Sequence, residues 1–153
     1  MHWLKDDMRL LGHPVHLMLV HFPAAIFPLE AMLYAAYCYT DNVQFANSSF
    51  FVLMVGVPLG WLAAICGGAD VMKINPERTK TLKRAVLHGS INTFVLICFT
   101  VVVYKQYLAY PILSQGSLSV LGLKVFLVLV MIGGNFIGGS LVLKHKVGIE
   151  ITE

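Results

Sequence analysis

Five of the six histidines in this chain lie in the first or last turns of apolar stretches, where an imidazole has little reason to be unless it holds something. Three stand together in Gly12-His13-Pro14-Val15-His16-Leu17-Met18-Leu19-Val20-His21-Phe22-Pro23, and His88 and His145 each occur singly further on. A neutral imidazole offers one donor nitrogen and one lone pair, so two of them on facing helices can ligate the two axial positions of a b-type haem. His21 with His88 is the first choice of axial pair. A second haem would take His16 with His145, His13 serving as the substitute, and Arg84 or Arg9 could pair with the propionates. The alternative chemistry is a non-haem transition metal held by three or four of His13, His16, His21, His88 and His145, with Asp70 as carboxylate partner, because imidazole suits Zn, Cu, Fe and Ni. His-x-x-His alone is a weak metal signature, and the Glu-x-x-His pairs of di-iron bundles are missing from the sequence. Plainer roles compete. His2 and His13 read as interfacial side chains, and His88 could serve only a hydrogen bond to Asn92 or to a carbonyl freed by a proline.

The elements that must position these groups are membrane helices. Hydrophobic residues make up 58% of the sequence and charged residues 12%, with a mean hydropathy of +0.76, well outside the composition of soluble domains. Four stretches are long enough to cross a hydrocarbon core, which takes about 20 helical residues: Pro14–Tyr39, Ser48–Met72, Lys83–Tyr110 and Ser117–Lys144. Short connections between them predict an all-α, up-down-up-down four-helix bundle forming a single domain over residues 1–153. The start of the chain has no apolar core followed by a small-residue cleavage site, so the first span is expected to stay. At 1.5 Å per residue, His21 lies about 10 Å in from the start of the first span and His88 about 8 Å in from the start of the third, which puts them at one level.

Pro14 suits the first turn of a helix, whereas Pro23 and Pro28 should free the carbonyls of Leu19 and Ala24 and loosen the first span. Gly56, Gly60, Ala64 and Gly68 form a small-residue stripe on the second span, and Gly134, Gly138 and Gly139 do so on the fourth, letting a helix or a flat ligand approach closely. Glu30 and Lys124 match in depth from the opposite end and should pair, since charges inside a bilayer pair or mark pathways. Asn92 and Asn135 are expected to hydrogen-bond between helices. Cys38, Cys66 and Cys98 sit singly in different spans and read as packing residues.

Charge gives the orientation. Lys73, Arg78, Lys80, Lys83 and Arg84 crowd the second connection, Lys5 and Arg9 precede the first span, and Lys144 and Lys146 follow the last, while the first and third connections carry neither Lys nor Arg. The positive-inside rule then puts both termini in the cytoplasm of a cell with a bacterial-type cytoplasmic membrane. Topology accounts for the basic loop without a nucleic acid partner.

The opening Gly12–Pro23 segment, Leu87-His88-Gly89-Ser90-Ile91-Asn92 and the closing Gly138-Gly139-Ser140-Leu141-Val142-Leu143-Lys144-His145-Lys146-Val147-Gly148 resemble the membrane domain family DUF2231 over essentially the whole chain. Two departures from its pattern are Leu17, where a second Pro is common, and Lys146, where Gly is common. The resemblance implies a four-span architecture and no established activity; some similar domains are joined to Rieske-type iron–sulfur modules, which implies redox work.

The expectation drawn from all of this is a haem b protein, with one or two haems, that passes electrons at the cytoplasmic side as part of a redox complex. Its partners would be the lipid bilayer, other subunits of a membrane complex or further copies of itself, and a quinone. The alternatives are a non-catalytic accessory subunit and a His-rich metal-binding membrane protein. No nucleophile with a base partner points to an independent hydrolase or transferase.

Overall fold

A computed structural model describes residues 9–10, 13–111 and 116–145, with side chains over 15–111 and 116–144. Four long helices carry the fold: α2 (His21–Thr40), α3 (Val43–Met72), α4 (Thr79–Ala109) and α5 (Leu118–His145). They are preceded by α1 (Val15–Leu19) and by a two-residue antiparallel pair, β1 (Arg9–Leu10) with β2 (His13–Pro14), which pairs Leu10 with His13. Counting α1 and α2 together, four helical segments are long and apolar enough to cross a membrane: Val15–Thr40, Val43–Met72, Thr79–Ala109 and Leu118–Lys144.

Proline and capping chemistry set the element boundaries. Pro23 has no N–H to give to the carbonyl of Leu19, and α1 ends at Leu19; Val20 keeps helical dihedrals and α2 resumes at His21. Pro28 and Pro58 are carried inside α2 and α3. At the far end of α2, Asp41 takes the left-handed conformation, with φ at 52°, and its N–H reaches the carbonyl of Tyr37. Asn42 then caps α3, accepting from the N–H of Gln44 at 3.0 Å, so α3 begins five residues before the span read from hydropathy. α4 likewise begins at Thr79, one turn ahead of the expected Lys83.

Consecutive long helices pack side by side and α2 also packs on α5, which closes a ring of four; α1 lies against α3. The main core is built from Phe27, Leu53, Val57, Val95, Leu96, Phe99 and Leu127. At its centre Phe27 and Phe99 stack with ring centroids 4.4 Å apart. Gly56 brings α3 against Ile26 and Phe27, and Gly60 brings it against Leu96.

Towards the end opposite the histidines, Glu30 and Lys124 are both fully buried and form the expected ion pair between α2 and α5. The Ser49 hydroxyl donates to the same Glu30 oxygen at 2.6 Å, and Lys124 Nζ lies 3.9 Å from the centre of the Tyr34 ring. A buried charge pair is tolerated only when further hydrogen bonds and dipoles surround it, and here α3 contributes one such group and α2 the other.

Candidate functional site

His16 and His88 come together across the bundle. His16, on α1, sends Nδ1 to the main-chain carbonyl of Ala63 on α3 at 2.8 Å, and His88, on α4, sends Nδ1 to the carbonyl of Gly134 on α5 at 2.7 Å. A carbonyl oxygen can only accept, so Nδ1 carries the proton in both rings, and the neutral form keeps its lone pair on Nε2. The ring centroids are 6.5 Å apart and the planes cross at 77°. Asn92, one turn beyond His88, donates its amide to the His88 carbonyl at 3.0 Å.

Each ring is seated on a glycine four residues beyond the carbonyl it bonds. A Cβ at Gly67 would stand 2.7 Å from Cε1 of His16, and one at Gly138 would stand 2.5 Å from Cε1 of His88, both inside any real contact distance. Four elements therefore build the pair: α1 and α4 supply the imidazoles, α3 and α5 supply the carbonyls that orient them and the glycines that admit them. Such a backbone acceptor on the remaining nitrogen is the usual support of a ligating histidine, fixing both tautomer and ring orientation.

The pair borders a cavity of about 920 Å³ lined largely by apolar side chains. His21, Asp70, Asn92 and Asn135 add polar groups to its wall. Asp70 also lies 4.0 Å from Lys73. Among the described residues, no three His, Cys, Asp or Glu side chains converge as a protein-only metal cage would require.

The other sequence candidates fall differently. His21 lines the same cavity but is exposed, and the ring next to His88 is that of His16 rather than His21. The levelling of His21 with His88 counted depth from each expected span start, and the helices begin elsewhere: α4 extends a full turn before Lys83, and α1 is a separate short piece. Of the expected shallower pair, His16 lies against the ring of His88, and His145 falls outside the residues whose side chains are described. His145 closes α5 and His13 lies in β2, but the side chains of both, and of Arg9, lie outside the described residues. Arg84 is exposed one turn before His88. Gly67 and the carbonyls of Ala63 and Gly134 were not singled out by sequence; the doublets Gly67-Gly68 and Gly138-Gly139, which recur 71 positions apart, were the available signal.

No curated protein and no solved structure matches the chain. A family described as a predicted membrane protein, DUF2231, matches residues 12–150, and with four helices able to span a bilayer this chain belongs to that family of integral membrane proteins.

Proposed function

We propose that the protein is a b-type haem protein of the membrane, with His16 and His88 as the axial ligands, and that it passes electrons within a larger redox assembly. One observation carries this reading: two imidazoles from different helices have their Nδ1 protons committed to backbone carbonyls and their rings 6.5 Å apart. With both Nδ1 protons so placed, the Nε2 lone pairs of His16 and His88 are the groups that would hold the iron. A cavity of about 920 Å³ beside them fits a group of porphyrin size.

Haem would supply one-electron exchange at this place. The chain's own residues do the rest. The Ala63 and Gly134 carbonyls hold the imidazoles in one tautomer and raise their basicity. The largely apolar walls would lower the polarity around a bound haem, which together with those hydrogen bonds would tune its potential. The basic connection between α3 and α4 adjoins this end of the bundle, which under the positive-inside rule faces the cytoplasm. A site confined to that half needs a donor or acceptor from outside the chain, a quinone or another protein, to complete a path across the membrane.

The test is an oxidised-minus-reduced spectrum of the detergent-purified protein with pyridine haemochromogen quantification. One b-type haem per chain is expected, lost in His16→Ala and in His88→Ala and kept in His21→Ala. Crossed ligand planes should also give the ferric form a single, strongly anisotropic low-spin resonance rather than a three-line rhombic one. A stable, colourless protein recovered from cells with ample haem would sink the assignment and favour an accessory subunit.

A further inference from the structure

His16 and His88 are 72 positions apart, and so are Phe27 and Phe99. Ala63 and Gly134, whose carbonyls receive the two imidazoles, are 71 apart, as are Gly67 with Gly138 and Gly68 with Gly139. The correspondence holds in space. His16 meets its own counterpart at 6.5 Å, and Phe27 stacks on its own counterpart at 4.4 Å. Each imidazole bonds a carbonyl four residues before the glycine beneath its ring. Contacts between a residue and its own equivalent are the mark of a two-fold axis, which in membrane folds can relate two halves of one chain.

We infer that the chain is a tandem repeat of a two-helix hairpin closed about an approximate two-fold axis, and that its two double glycines form a cradle for a planar, apolar macrocycle lying on that axis. The class of ligand rests on the haem reading above. Within each doublet the glycines divide the work. Gly67 and Gly138 are pressed by the imidazoles, while Gly68 and Gly139 line the cavity with nothing within 4 Å of where a Cβ would stand. Glycine weakens a helix interior relative to alanine, and at these two exposed positions no neighbour among the described residues requires its absence of a side chain. An occupant of the cavity would. The repeat is not exact: Asn92 corresponds to Val20 and Asp70 to Leu141, and towards the other end Glu30 corresponds to Val102 and Lys124 to Leu53, so the ion pair belongs to one hairpin combination and the paired glycines to both.

The purified chain is titrated with haemin and, separately, with metal-free protoporphyrin IX, which needs the cradle but no axial ligand. Wild type is expected to take one equivalent of either. His16→Ala and His88→Ala should lose the six-coordinate haemin spectrum and keep protoporphyrin. Gly68→Leu and Gly139→Leu should each weaken protoporphyrin by about tenfold or more, and by similar factors, because they are equivalent positions. Gly122→Leu, at a glycine that also has open space beside it but lies away from the cavity, should change neither. Where leucine prevents recovery of folded protein, Gly68→Ala and Gly139→Ala give the same comparison in milder form. Unchanged protoporphyrin binding in both doublet variants, or weakening by only one, overturns the inference and leaves the haem reading standing. Glycine-dependent protoporphyrin binding without six-coordinate haemin does the reverse. Binding of neither probe by wild type overturns both.

Discussion

A histidine whose Nδ1 is tied to a carbonyl on another helix has one nitrogen left for chemistry, and that constraint makes the glycines beneath the rings sensitive. Gly138→Ala puts a methyl group where Cε1 of His88 now lies. The ring has to move, and a cost of about 1–3 kcal/mol is expected from overpacking, read as a lower midpoint of thermal unfolding in detergent and a shifted Soret band. The same substitution at Gly133, which has open space around it and lies away from the cavity, should leave both readouts unchanged. The buried pair behaves oppositely. Glu30→Gln strands the Lys124 ammonium and should cost about 3–5 kcal/mol, whereas Glu30→Val combined with Lys124→Leu, the residues of the corresponding positions Val102 and Leu53, should come within about 1 kcal/mol of the parent protein. Thermal unfolding of the single and double variants checks this, and a double variant less stable than the single one would contradict it. That Glu30 meets Lys124 was legible in the sequence because two opposite charges equally deep in a bilayer have few other options. The choice of His16 over His21 was not, since residues five apart on a helix point some 140° apart and only the packing of α1 on α3 decides which ring faces inward.

At the level of elements, hydropathy located the four spanning helices, but their ends answer to local chemistry that hydropathy does not weigh. Asn42 starts α3 through its side-chain cap, and Pro23 divides the first span. Both were visible as residue types; what could not be read was how far each helix projects past its apolar stretch, on which any comparison of histidine depths rests. Pro23→Ala restores the hydrogen bond to the Leu19 carbonyl and should fuse α1 with α2. An interior proline costs a helix about 3 kcal/mol or more, so the variant is expected to gain helical stability. His16 would then turn with the continuous helix and leave Ala63, lowering haem content. Helical circular dichroism on heating and the haem-to-protein ratio together test this trade; a variant with unchanged haem content would show that the break does not position His16.

For the whole molecule, the charge distribution predicts which side each connection faces. In a chain freed of Cys38, Cys66 and Cys98, Lys80→Cys should react with a membrane-impermeant maleimide in inside-out vesicles and stay unlabelled in right-side-out ones. The reverse pattern would put the imidazole site on the opposite face of the membrane. Large apolar side chains such as Phe51, Phe126 and Phe136 point outward all round the bundle, as lipid requires. The described helix that does not share in this closed ring is α1. It buries no residue completely, and it is joined to the rest through Val20 and by its packing on α3. The other four helices keep their mutual contacts without it. The break at Leu19 and Val20 thus lets His16 and the cavity wall it belongs to be positioned by the docking of a five-residue segment on α3, independently of the direction taken by the long helix that follows.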